Sequence, residues 1–216
     1  MFVALLLVHI GGSRGCLLNC VGWPGERAAT DVEPDCREAK AEKRRWRTAG
    51  VSLPIRRFRP ADRDAVDETI EAALRSAEAY FEDVPELEDD DILAEYVDAG
   101  GEFLVGEREG EIVATGAFRP PKGVVTEFVD AEGAAELKRM HVHPDHHREG
   151  IGQAMYDELE ARARERGFAR FALATTGRQE PAHAFYESNG FERVGSTSEN
   201  VAGTNLEILV FEKTLN

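Results

Sequence analysis

The chain has 216 residues and a formal charge of −15, long enough for one domain of ordinary size with a buried core. No basic stripe exists to meet phosphates, which excludes a nucleic-acid binder. The charge is also uneven: residues 1–50 carry 8 Lys+Arg against 6 Asp+Glu, and residues 51–216 carry 18 against 35.

The first 50 residues differ from the rest in other ways. All three cysteines (Cys16, Cys20, Cys36) and both tryptophans (Trp23, Trp46) lie there. The apolar run Phe2 to Ile10 is far short of the roughly 20 residues a bilayer span needs, and no positive n-region precedes it as in a secretory signal. Three readings stand: a start-site artefact with translation beginning near Val51, which is preferred, a disordered leader, or a working signal or anchor. The expected domains are therefore a leader over 1–50 and one folded domain over 51–216, with a cytoplasmic location and no membrane partner. From Val51 onward lysine is scarce (Lys122, Lys138, Lys213) and acid abundant, a composition resembling that of salt-adapted proteins, in which salt screens the self-repulsion.

Leu53–Phe58 alternates as a first strand. Asp62 then caps a helix with Val66, Ile70, Leu74 and Ala77 on one stripe. Asp83-Val84-Pro85 breaks it, and a second helix over Asp89–Asp98 ends at Gly100-Gly101. Glu102–Glu107 and Glu111–Phe118 read as a hairpin. Pro120–Gly133 reads as a polar loop with strand character at Val124–Val129. Leu137–Val142 is the next strand, followed by a long helix over Arg148–Arg166 with Ile151, Met155, Leu159 and Ala163 in one row. Strand Phe171–Thr175, helix Pro181–Ser188 and strands Phe191–Gly195 and Leu206–Leu215 complete the order β-α-α-β-β-β-α-β-α-β-β. The fold class is α/β: a mixed, mostly antiparallel central sheet with helices on both faces.

The segment AELKRMHVHPDHHREGIGQA, residues 135–154, carries the chemistry and has two readings. His141-Val142-His143-Pro144-Asp145-His146 fits H-x-H-x-D-H, a zinc-hydrolase pattern. Such a site needs further ligands downstream, yet after His147 the chain offers only His183 and Asp157. The expectation is accordingly no metal, with zinc hydrolysis a remote alternative. The other reading takes a strand ending near Val142 and a helix opening at Gly150-Ile151-Gly152. Glycines there admit a close ligand, and unpaired first-turn N–H groups with the helix dipole behind them form an anion site. Arg148 adds charge at the rim.

The same segment resembles motif A of the GCN5-related N-acetyltransferases (GNAT), [QR]-x-x-G-x-[GA] after a strand. Ala182–Phe191, AHAFYESNGF, resembles their motif B at the family's order and spacing, and the likeness covers about Leu53–Leu215. It implies acetyl-CoA as co-substrate and transfer of acetyl to a primary amine, small-molecule or peptide, within a ternary complex. It also implies a pyrophosphate grip by His147, Arg148, Glu149, Gly150, Ile151, Gly152 and Gln153, and a pantetheine grip by backbone at Met140, His141 and Val142. Gln179 stands where many members have Asn, and His147 where they have Gln or Arg. The resemblance makes Glu136 the general base and Tyr186 the acid for the leaving thiolate. The plain alternatives are a solvated strand-edge carboxylate and a core tyrosine. A non-catalytic acyl-CoA-binding relative is the alternative function. The acceptor stays open: the acidic stretch Tyr80–Glu95 would suit a cationic amine but reads equally as a salt-adapted surface. The oligomeric state is open too, with homodimers common among relatives.

Overall fold

The computed structural model describes residues 53–77, 91–201 and 204–215. The leader, the helix break at Asp83-Val84-Pro85 and most of the acidic stretch lie outside them. The seven strands are β1 (Ile55–Arg57), β2 (Glu102–Arg108), β3 (Glu111–Arg119), β4 (Ala134–Val142), β5 (Arg170–Thr176), β6 (Glu192–Val201) and β7 (Thr204–Thr214). They form one sheet in the order β1-β2-β3-β4-β5-β7-β6. Every pairing is antiparallel except β4 with β5.

Helix α1 (Arg63–Ser76) turns Val66, Ile70 and Leu74 onto one face of the sheet, where they meet Phe103, Val105 and Ala117. A short π-helical segment, Leu93–Asp98, brings Tyr96 onto the same face. On the opposite face α2 (Ile151–Glu165) and α3 (Glu180–Ser188) pack over Leu137, Met140, Phe171 and Phe211. Glycine lets α2 lie close: a Cβ on Gly116 would stand 2.6 Å from Leu159 Cδ1 and 2.9 Å from Met155 Cγ. Among the described residues no helix is long and apolar enough to cross a membrane.

Several details differ from the sequence reading: α2 begins at Ile151 and not at Arg148, and β6 runs on to Val201, past Gly195. Val124–Val129 contains no strand; Gly123–Glu127 is a 3-10 helix whose valines bury against Ala172, Ile208 and Val210. Prolines 120 and 121 precede it, and Pro supplies no N–H for a ladder. Asp62 does not cap α1 through its side chain. Its carboxylate instead takes both Arg56 Nη atoms, at 2.6 and 2.9 Å, and the Arg59 N–H at 2.7 Å. The second helix is shorter than expected where it is described, with Asp91 Oδ1 accepting from the N–H groups of Leu93 and Ala94.

The main irregularity is in β4. Thr115 pairs His141 and Ala117 pairs Lys138, so β4 carries one extra residue. The bulge centres on Arg139, at φ 54°, a conformation costly for a non-glycine residue. Two bonds hold it: Thr115 Oγ1 donates to the Arg139 carbonyl at 2.8 Å, and Arg139 Nε donates to the Tyr96 hydroxyl at 3.1 Å.

Candidate active site

Strands β4 and β5 pair only at Ala134↔Arg170, Ala135↔Phe171 and Glu136↔Ala172. Beyond that register β4 runs on to Val142 and β5 to Thr176, the latter paired with β7 alone. The two parallel strands therefore part toward their C-terminal ends, and the β5-facing edge of β4 from Leu137 to Val142 has no strand partner among the described residues. In α/β sheets this kind of crevice, at the carboxyl ends of parted strands, is where ligands bind. Met140, His141 and Val142 lie on that open edge.

At the open end, β4 leads through a 3-10 turn (Pro144–His146) into α2. Arg148 (φ 66°) and Gly150 (φ 84°) are both left-handed, which folds the loop tightly. Gly150 is the N-cap of α2 and no side chain caps it, so the N–H groups of Ile151, Gly152 and Gln153 start the helix without an internal partner. Arg148 is exposed beside them. This geometry suits an anion: left-handed turn, free N–H groups and dipole converge. The remaining loop side chains brace the protein. His147 Nε2 donates to the Val142 carbonyl at 2.9 Å. Glu149 is paired with Arg108 and has His146 Nδ1 at 3.6 Å. Gln153 Nε2 donates to Asp157 (2.8 Å) and to Asn189 (2.9 Å), tying α2 to the C-terminus of α3.

Gln179 starts α3 at the open end of β5. Its Oε1 accepts from Thr175 Oγ1 at 2.5 Å, while its Nε2 is buried with no partner among the described residues. An orphaned donor at the mouth of a crevice is what a long polar chain with carbonyl groups would satisfy. The open β4 edge, the uncapped helix start and this donor together fit a pantetheine–pyrophosphate ligand.

The two residues expected to do chemistry lie on opposite faces. Tyr186 sits under α3, 1% exposed, its ring against Phe185, Phe191 and Phe211 at centroid distances of 5.6, 5.3 and 6.4 Å. Burial pushes its phenol well above the ordinary value. Glu136 lies on the α1 face in the middle of the sheet, 4% exposed, so it is no solvated edge carboxylate. Arg119 Nε approaches it at 3.5 Å and Lys138 Nζ at 3.4 Å, and the Lys122 backbone N–H donates at 3.3 Å. Arg119 also pairs with Glu95, which takes Lys122 Nζ at 3.1 Å.

This ionic network was not read from the sequence. One signal was available: Glu136, Lys138 and Arg139 stand together between the apolar residues of one strand. Burial lowers the Lys138 pKa, nearby Arg139 and Arg119 add to that, and Glu136 opposes them. His141, on the same face, is fully buried with neither ring nitrogen partnered. Burial, then Arg139, depress it to about 3, so it stays neutral. Asp145 is exposed on the turn, and among the described residues no three His, Cys, Asp or Glu side chains converge to hold a metal.

The sequence pattern of the Acetyltransferase (GNAT) family matches residues 68–191. The uncharacterized N-acetyltransferase YjgM of Escherichia coli (strain K12) is 30% identical over 151 residues, covering 68% of this chain and 86% of its own. N-acetyltransferase family 8 member 2 of Rattus norvegicus is 28% identical over 124 residues, covering 57% of this chain and 53% of its own. The chain thus spans about half the length, or less, of the family 8 relatives it matches. Among solved structures, ribosomal-protein-alanine N-acetyltransferase from Brucella melitensis superposes with a TM-score of 0.64 at 25% identity, over 76% of this chain and all of the other. Motif order, parted strands and glycine turn agree with these likenesses, and the chain belongs to the GNAT acetyltransferase family.

Proposed function

We propose that the protein is an N-acetyltransferase that moves an acetyl group from acetyl-CoA to a primary amine by direct transfer in a ternary complex. The observation that carries this reading is the parting of β4 from β5 after Glu136↔Ala172, ending at the left-handed Gly150 turn. The pantetheine arm lies along the open β4 edge as an added strand, near Met140, His141 and Val142, with Gln179 Nε2 as a further donor. The pyrophosphate rests on the N–H groups of Ile151, Gly152 and Gln153, with Arg148 at the rim.

In the transfer, the amine nitrogen forms a bond to the thioester carbonyl carbon, and the carbon–sulfur bond breaks. The amine loses a proton to Glu136, directly or through water. Backbone N–H groups at the bulge stabilise the oxyanion. Tyr186 enters protonated, since burial raises its pKa, and donates a hydrogen bond to the departing sulfur. A buried phenol is a weaker acid than a thiol of pKa about 8.5, so this hydrogen bond matters more than full proton transfer, and solvent supplies the thiol proton on release. No covalent nucleophile is invoked; residues 51–216 contain no cysteine.

The test is free-thiol release from acetyl-CoA across a panel of amines at high salt. Release that depends on the amine is expected. Binding of acetyl-CoA without release to any amine would favour the non-catalytic acyl-CoA-binding reading.

A further inference from the structure

Lys138 is the first α1-face side chain on the stretch of β4 that β5 leaves unpaired, and it shares that face with Glu136. It is 7% exposed. An ammonium has three protons to place, yet the hydrogen bond it makes among the described residues is a single long one, 3.4 Å to Glu136. That carboxylate is already shared with Arg119 Nε and the Lys122 N–H. A buried lysine and a partly buried arginine thus draw on one buried carboxylate. Arg119 has a second acid in Glu95, and Lys138 has none among the described residues. An under-satisfied buried charge is costly, by several kcal/mol per ion, and such a group persists where a ligand completes its shell. The chain of pairs Lys122–Glu95–Arg119–Glu136–Lys138 links half-exposed Lys122 to buried Lys138.

Resting on the transfer reading above, we infer that the acceptor is an α-amino acid or a close relative, whose carboxylate is held by Lys138 and Arg119 beside the Glu136 that meets its amine. The two ends of such a molecule are neighbours, as Lys138 Nζ and Glu136 Oε1 are. The charge order, cation next to carboxylate, matches a dipolar acceptor lying antiparallel to the pair. A simple diamine or polyamine would bring a second cation against Lys138 and Arg119. The acidic stretch left the acceptor open; the polar groups described around Lys138 favour one that carries an anion.

The experiment measures binding of two probes to the full-length chain with coenzyme A: N-acetylglycine and N-acetylglycinamide, which differ in the carboxylate alone. The acid is expected to bind about 10- to 100-fold more tightly than the amide, the range of one hydrogen-bonded ion pair. Lys138→Met should bring that ratio close to unity, and Lys138→Arg should restore part of it. Because each ratio is taken within one protein, a general loss of stability cannot produce the change. Equal binding of acid and amide by the wild type, no binding of the acid, or an unchanged ratio in Lys138→Met would each overturn the proposal. A Lys138-dependent ratio in a protein that releases thiol with no amine would support the anion site and remove the transfer reading instead.

Discussion

Tyr186 and Glu136, the two residues proposed to carry the chemistry, lie on opposite faces of one sheet, and each is shaped by a different environment. The Tyr186 ring is packed among phenylalanines, and burial keeps its phenol protonated. Removing the hydroxyl leaves that packing intact, so Tyr186→Phe should fold normally and bind acetyl-CoA as before. Its kcat should fall about 100-fold, at the lower end of what positioned proton donors contribute. Steady-state rates alongside acetyl-CoA titration check this, and an unaltered kcat would remove Tyr186 from the reaction. Glu136 is a different case, since three donors converge on it.

At the scale of elements, the parted strands and the turn into α2 depend on backbone conformations that only certain residues reach easily. Gly150 at φ 84° is in the region where a side chain costs roughly 1–2 kcal/mol, and a branched one also fills the mouth of the turn. Gly150→Val should therefore abolish acetyl-CoA binding while the far side of the sheet stays folded; calorimetric titration together with circular dichroism reports both. Normal affinity would mean that the pyrophosphate lies elsewhere. Much of this was legible in the sequence. The glycines of motif A, the row Ile151-Met155-Leu159 and the Asn189-Gly190 stop each act through local conformation or short-range periodicity, which sequence carries directly. The bulge at Arg139 was less visible, because it depends on the partner strand; its trace is the step of three from Leu137 to Met140, where strict alternation would give two. The 3-10 helix at Gly123–Glu127 was missed for a related reason: Val124, Val125 and Val129 look like strand residues, but tertiary packing on Ile208 and Val210 decides their shape. Side-chain networks were the least legible. Alternation along β4 puts Glu136 and Lys138 on one face, but nothing local announces that Arg119 joins them, since strand register sets it opposite Glu136.

For the molecule as a whole, acidity coexists with ion pairs that tie distant segments. Glu102, at the start of β2, gathers Arg57 from β1, Arg162 from α2 and Arg166 just beyond it, at 2.7 to 2.9 Å. Burial alone would raise its pKa, but hydrogen bonds from Arg57, Arg166 and Arg162 outweigh that and hold it at about 2, against 4.5 when free. A carboxylate depressed in the fold stabilises above its unfolded pKa and loses that contribution as pH falls through its folded one. The window is therefore about pH 5 down to pH 2, and the loss about 3 kcal/mol by linkage. Denaturant unfolding at stepped pH should show it, and Glu102→Gln should be less stable at pH 7 and flatter across that window. A wild-type stability flat over the same range would contradict the assignment. The central claim, direct transfer between two bound substrates, is tested most directly by initial rates of thiol release with acetyl-CoA and the best amine both varied. The account predicts release only when the amine is present and double-reciprocal lines that intersect. Parallel lines would signal a covalent acyl-enzyme, for which residues 51–216 supply no cysteine, and would contradict it.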